Sequence, residues 1–262
     1  MSDSTEKSKA FYDAIAESYD QQMATLATSS WARDAFRQLV LDTVSSGTLL
    51  DFGCGTGTDA VWFAERGFLV LAYDPSSEMI ERTKAKGARL IERGLLTTHV
   101  SSHEEFLRFQ PERPFDAVIS NFGVLSHLED LGPLLDAFSH QLVNEGYVVA
   151  SVLNPWFWKD MIREWWWRSV WGSRRTGVVR VSVGEIETYR HFPSKIVNAA
   201  SPWFKPTLRA GVDALIRRSA SGHDWAHPRT FAEKLDKACW KRFPFWTISQ
   251  HLFLVFRQCT RG

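Results

Sequence analysis

The residues with the most chemistry in this chain stand in one string, Leu49-Leu50-Asp51-Phe52-Gly53-Cys54-Gly55-Thr56-Gly57. Glycines at alternate positions let the backbone enter the region of positive φ and come close to a ligand. A helix is expected from about Thr58, and its first turn would offer free N–H groups and a partial positive charge. The spacing is G-x-G-x-G, whereas a dinucleotide fingerprint needs G-x-G-x-x-G, and Thr58 stands where its third glycine belongs. Asp51 would repel a pyrophosphate and favours a ligand that carries positive charge. Asp74, followed by Pro75, comes about 20 residues later, where an acidic side chain accepts hydrogen bonds from a ribose diol. An Asp before Pro75-Ser76-Ser77 also suits a turn or a helix cap. His127 follows Asn121-Phe122. It is the candidate general base of this region, with a purely structural role as the alternative.

These residues need a scaffold, and the hydrophobic pattern supplies one. Strands are expected at Thr48–Phe52, Phe68–Tyr73, Leu95–Val100, Phe115–Ser120 and Tyr147–Leu153. Helices are expected over Thr58–Arg66 and Ser77–Lys86, closed by Gly67 and Gly87, and from Gly132-Pro133 onward. Met79 and Ile80 belong to the inward face of the second of these. The alternation implies a doubly wound, mostly parallel sheet with helices on both faces. Ahead of it, residues 1–9 read as a disordered tail. Phe11, Ile15 and Tyr19, four apart, mark one face of a short helix. A second helix covers about residues 30–44, with Trp31, Ala35, Phe36, Leu39 and Val40 inward. After residue 153 we expect a strand at Val178–Val183, a segment Glu185–His191 leading to a short helix at Ser194–Ala200, and a sixth strand within Phe204–Leu215. A polar loop at Ser219–His227, a helix at Arg229–Arg242 and a seventh strand at Ile248–Arg257 would follow.

The D-x-G-x-G-x-G string resembles motif I of the class I S-adenosylmethionine-dependent methyltransferases of small-molecule type. The segment Phe11-Tyr12-Asp13 to Tyr19-Asp20 is similar to the FYD-x-x-A-x-x-YD segment found near the N-terminus of many of them. The run from Phe115-Asp116 through Ser120-Asn121 to Leu125-Ser126-His127 matches a further stretch of their pattern. The resemblance is dense in motifs from about residue 11 to 153 and only architectural beyond. It implies a Rossmann-like methyltransferase fold whose seven-stranded sheet ends on an antiparallel strand, and S-adenosylmethionine as cofactor, with S-adenosylhomocysteine as product. The implied cofactor residues are Tyr19, Asp51, Gly53, Cys54, Gly55, Gly57, Asp74, Pro75, Met79, Asn121 and Phe122. Many relatives carry an acid after strand three, but here Ser101-Ser102-His103-Glu104 takes its place. Ser101 and Ser102 are then the candidates for the adenine contact, with His103 either stacking on adenine or facing solvent.

Length and composition fit this frame. The chain has 262 residues, 44% hydrophobic and 23% charged, enough for one domain of a globular protein. Within it we expect a helical cover over residues 1–45, a cofactor core over 46–153, an inserted lid over 154–200 and the rest of the sheet over 201–262. A net charge of +1 gives no global pull toward nucleic acid. Cys54, Cys239 and Cys259 form neither a disulfide framework nor a zinc pattern, which suits the cytoplasm. The polar start lacks the apolar stretch of a signal peptide, and no window approaches a membrane span.

The composition changes after Asn154-Pro155. Residues 156–176 hold six of the 12 tryptophans, mixed with Lys159, Arg163, Arg168, Arg174 and Arg175. Trp158, Ile162, Trp165 and Trp166 fall near one helical face. The stretch reads as a Trp-rich lid packed on the core, as the wall of an acceptor pocket, or as a peripheral contact with a membrane interface. The expected partner is a small, apolar or aromatic acceptor, methylated on O, N or C, without nucleic acid or stable membrane insertion. No N-P-P-[YF] signature follows strand four, no Walker lysine follows the glycines, and no hydrolase triad is visible. The competing functions are an NAD-dependent oxidoreductase, which the glycine spacing disfavours, and an adenosyl-binding protein without catalysis.

Overall fold

The computed structural model describes residues 3–24, 27–183, 186–215 and 231–260. Three helices come first: α1 (Asp3–Ile15), α2 (Tyr19–Ala24) and α3 (Ala27–Thr43). Strands and helices then alternate: β1 (Thr48–Phe52), α4 (Thr58–Ala64), β2 (Leu69–Asp74), α5 (Ser77–Glu92), β3 (Leu96–Val100), α6 (His103–Phe106) and β4 (Phe115–Ser120). A 3-10 turn (Val124–His127), α7 (Gly132–Gln141) and β5 (Leu142–Leu153) complete the core. The insertion contains α8 (Trp158–Met161), α9 (Glu164–Gly172), β6 (Val178–Val183), β7 (Ile186–His191) and α10 (Pro193–Ala200). The chain closes with β8 (Phe204–Val212), α11 (Phe231–Cys239), α12 (Phe245–Ile248) and β9 (His251–Gln258).

Seven strands form one sheet in the order β3-β2-β1-β4-β5-β9-β8. The first five are parallel, and β9 runs antiparallel between β5 and β8. Their inner residues are apolar on both faces, as a sheet covered twice requires. Leu49, Val70, Ala117 and Val149 pack on the side of Phe36, Phe63 and Phe253. Leu50, Val118, Val148 and Leu254 pack on the side of Phe106, Phe138 and Phe256. The winding moves outward from β1 to β3 and then returns to β4, so a crevice opens at the strand ends between β1 and β4.

Several elements depart from the sequence reading. The first helix begins at Asp3 rather than after a tail, because Ser8 is buried and Lys9 pairs with Asp13 one turn on at 2.7 Å. It stops at Ile15, so Tyr19 opens a separate helix and does not share a face with Phe11 and Ile15. Gly87 lies within α5 instead of ending it, since a Cβ there would meet Leu96 Cδ2 at 2.3 Å. The glycine brings the helix down onto β3. Residues 186–191 form β7, a hairpin partner of β6, rather than a lead into a helix. The Trp-rich helix breaks at Ile162-Arg163 into α8 and α9, and Ile162 is exposed. The expected loop at Ser219–His227 lies outside the described residues, as does the start of the helix expected from Arg229.

Candidate functional site

A cleft opens where the chain leaves β1, β2 and β4, and the N-terminal helices cover it. Its floor is the glycine turn. Gly53, Gly55 and Gly57 have φ of 75°, 55° and 74°. The N–H groups of Gly53 and Cys54 both donate to the Tyr73 carbonyl, at 2.8 and 2.9 Å, which folds the turn onto β2. A Cβ at Gly53 would strike Val124 at 2.3 Å and one at Gly57 would strike Thr83 at 2.5 Å. A Cβ at Gly55 meets only Tyr19, at 3.9 Å. Two glycines therefore serve packing, while Gly55 faces the open cleft.

Two buried carboxylates flank this turn. Asp51 is 3% exposed, and its Oδ2 has no hydrogen-bond partner. Burial pushes its pKa well above the ordinary carboxylate range, and the charge of Asp59 adds to the effect, against Arg33. Asp74 accepts hydrogen bonds from the Gly55 and Ser76 N–H groups, each at 2.9 Å. It performs the turn role and lines the cleft as well. Burial raises its pKa to about 6, against those two N–H groups. Cys54 sits in the same turn with its thiol pKa raised by burial and by the charge of Asp74. Pro75 and Met79 line the cleft beyond Asp74. The Met79 N–H is held by the Ser76 hydroxyl that caps α5, at 3.1 Å.

The far wall is built at the end of β4. Phe122 adopts φ 53°, a left-handed conformation rare for a bulky residue, ahead of Gly123 at 75°. The Asn121 Oδ1 accepts from the Phe122 N–H at 2.8 Å, and its Nδ2 donates to Asp59 at 3.0 Å. Asp59 also accepts from Arg33 and Arg37, each at 2.7 Å. The Arg33 guanidinium lies 4.5 Å from the centroid of the Phe122 ring. This buried, mutually satisfied network fixes the wall and presents Arg33 to the cleft.

The roof comes from α1 and α2. The Tyr12 hydroxyl and His127 Nε2 are 3.1 Å apart, with their rings edge to face. Burial raises the pKa of Tyr12 and lowers that of His127, so the pair is neutral near neutral pH. Ser76 donates to Asp13 at 2.5 Å, and Thr56 donates to Asp20 at 2.5 Å with Lys86 donating to it at 2.7 Å. Tyr19 lines the cleft opposite Gly55, and burial raises its pKa.

The structure brings Tyr19, Asp51, Gly53, Cys54, Gly55, Asp74, Pro75, Met79, Asn121, Phe122 and His127 to one cleft. Gly57 stands behind it as the residue before α4. Ser101 and Ser102 are not among its lining residues. The Ser101 carbonyl accepts from the Tyr73 hydroxyl at 3.2 Å, and Ser102 caps α6 in a capping box with Glu105. His103 does line the cleft, beside Phe52. Sequence reasoning missed Arg33, Asp59 and the position of Tyr12 against His127. The Trp-rich insertion is not a wall of this cleft, because no residue of 156–176 lines it. Trp166 is instead buried with Val170 and Val179 in a small core that carries the hairpin, its Nε1–H donating to the Pro155 carbonyl at 2.7 Å.

Comparison with known proteins places this geometry. A family profile described as a methyltransferase domain matches residues 19–179. A ubiquinone biosynthesis O-methyltransferase of Xylella fastidiosa (strain M23) is 32% identical over 112 residues, 42% of this chain and 44% of that protein. The chain thus spans less than half the length of that curated relative. Among solved structures, the CcbJ methyltransferase from Streptomyces caelestis superposes with a TM-score of 0.60 at 16% identity, over 94% of this chain and 96% of that one. A Burkholderia thailandensis 1,6-didemethyltoxoflavin-N1-methyltransferase, solved with 1,6-didemethyltoxoflavin and S-adenosylhomocysteine bound, gives 0.59 at 14% identity, over 100% of this chain and 92% of that one. The profile match covers the glycine turn, both carboxylates and the end of β4. The chain belongs to the methyltransferase-domain family, with the Rossmann-like architecture of the class I S-adenosylmethionine-dependent methyltransferases.

Proposed function

We propose that this chain methylates a small-molecule acceptor with S-adenosylmethionine as donor. The observation that carries the reading is the Asp51 carboxylate, buried behind the glycine turn with one oxygen unpartnered. Burial and the Asp59 charge outweigh Arg33 at this acid, so its ionised form is costly, and a ligand that brings positive charge relieves that cost. The sulfonium and ammonium of S-adenosylmethionine bring it, whereas a dinucleotide pyrophosphate would add to the repulsion. Asp74 is the acceptor for the ribose hydroxyls, and Arg33 stands at the Asn121–Phe122 end as the countercharge for a carboxylate. Gly55 leaves room for the ligand to lie against the turn.

The bound sulfonium supplies an already activated methyl group with a neutral leaving group, so the protein's work is mainly placement. Holding a nucleophile at about 3–3.5 Å and in line lowers such barriers by roughly 7–11 kcal/mol. Tyr12, Tyr19, Asn121, Phe122 and His127 surround the space where that nucleophile would sit. The neutral His127 accepts the Tyr12 hydroxyl at Nε2, so a proton from the acceptor reaches His127 through that hydroxyl, which hands its own proton to Nε2 and takes the acceptor's in return. This suits an acceptor oxygen or nitrogen that carries a proton. The reading is supported by the O-methyltransferase and N1-methyltransferase named above, whose reactions are their own. The experiment is to incubate the chain with methyl-labelled S-adenosylmethionine and a fractionated pool of small molecules. Label in a low-mass product, with S-adenosylhomocysteine formed in step, is expected. Cofactor binding without label transfer to any fraction would favour an adenosyl-binding protein instead.

A further inference from the structure

The insertion after β5 divides its tryptophans between two environments. Trp166 is 1% exposed, whereas Trp167 and Trp171 are 56% and 68% exposed. The latter two lie four residues apart on α9 and share its outer face. Ile162, just ahead of that helix, is 77% exposed. Arg163 precedes Trp167 by four residues, and Arg174 and Arg175 follow Trp171; all three are exposed, and none forms an ion pair among the described residues. The Arg174 guanidinium rests on the Trp171 ring, 4.0 Å from its centroid. Glu164 and Arg168 neutralise each other at 2.7 Å. The face therefore presents two indoles and an isoleucine, bordered at both ends by exposed cations that form no ion pair among the described residues. No part of it lines the cleft.

We propose that this face docks the protein peripherally on an anionic lipid surface. Trp167 and Trp171 would enter the boundary between headgroups and acyl chains, with Arg163, Arg174 and Arg175 against the anionic headgroups. Charge complementarity selects this occupant. A protein of net charge +1 gathers three exposed arginines around this apolar patch, none of them in an ion pair among the described residues. Indoles have an apolar body and a polar N–H, which suits the interface rather than the hydrocarbon interior. A helix lying in the interface plane needs this pairing of aromatic and basic groups, not length. No helix among the described residues is long and apolar enough to cross a membrane, so the contact is one of surface only. The inference stands apart from the cofactor reading, since it uses no residue of the cleft.

The test is co-sedimentation of the full chain with lipid vesicles. We expect binding to phosphatidylcholine vesicles containing about one third phosphatidylglycerol, weak binding to phosphatidylcholine alone, and release by high salt. Replacing the three arginines together by glutamine should weaken binding about fivefold per residue. The double variant Trp167→Ser, Trp171→Ser should abolish it at low lipid; the arginine variant should melt as the wild type does, and the tryptophan variant only slightly earlier, because Trp167 gives up its edge contact with Trp166 at 4.6 Å between ring centroids. No binding to either vesicle, equal binding to both, or wild-type binding by both variants would each overturn the proposal. So would a wild-type dimer in size exclusion that the tryptophan variant converts to monomer, since a second copy would then own the face.

Discussion

Asp51 and Asp74 do different work with the same functional group. Asp74 already holds two backbone N–H groups, so its replacement removes both a ligand contact and a support of the turn. Asp74→Ala should lose about 1.5–3 kcal/mol of cofactor binding, roughly 10–150-fold in affinity by calorimetry. The pH dependence has a definite sign. In the free protein Asp74 takes up a proton below about pH 6. A ligand that donates to its carboxylate favours the ionised form and lowers that pKa, so binding releases the proton. The Asp74 contribution to affinity should be level above about pH 6 and fall as the pH drops through it, approaching tenfold per unit, and the raised Asp51 acts in the same direction. Affinity that rises on acidification would contradict the assignment. For His127, burial keeps the ring neutral, and only the neutral ring accepts a proton. His127→Gln and Tyr12→Phe should lower kcat by about 10²–10⁴ and about tenfold respectively, with cofactor affinity nearly intact, and the first should remove the acid limb of the rate profile. Equal losses in affinity and kcat would mean a structural role. The glycine turn and Asp74 were legible because a positive φ and a strand-end acid are local properties. Asp59 was not, because its partners Arg33, Arg37 and Asn121 lie 26, 22 and 62 residues away and only packing brings them together.

The elements show where local pattern and tertiary context diverge. Gly87 reads as a helix end because glycine disfavours helix interiors, yet contact with Leu96 makes it the residue that seats α5 on β3. The break after Ile15 is invisible to a spacing of four, since Phe11, Ile15 and Tyr19 fit one helix as well as two. The roof that results is fastened by polar clasps at Asp13 and Asp20 more than by apolar burial, and Phe11 is 40% exposed. Such an element opens easily. Hydrogen exchange across residues 11–20 should slow when S-adenosylhomocysteine is added, and equal exchange with and without it would argue against a cover that closes on ligand. The insertion is a second case. Its tryptophans were open to three readings, and burial separates them residue by residue. Trp166→Ala should cost about 3–5 kcal/mol in the stability of the insertion, measured by thermal or denaturant unfolding, while cofactor affinity changes little. A stable variant with weakened cofactor binding would show that Trp166 reaches the cleft after all.

At the scale of the molecule, alternating strands and helices were enough to give the doubly wound sheet, because each apolar run needs cover on both faces. The place of the cleft follows from the reversal between β1 and β4, and the antiparallel β9, with β8 at the edge, extends the sheet beyond β5. Acceptor identity was not legible, since Tyr12 and His127, which line the cleft together, lie 115 residues apart and only packing brings them to 3.1 Å. The central claim is that a cleft with an unpartnered buried acid selects a positively charged adenosyl ligand over a dinucleotide. The most direct measurement is calorimetric titration of the full chain with S-adenosylmethionine and, in parallel, with NAD. Saturable binding of S-adenosylmethionine and none of NAD is the expected result; saturable binding of NAD with no heat from S-adenosylmethionine would contradict the account.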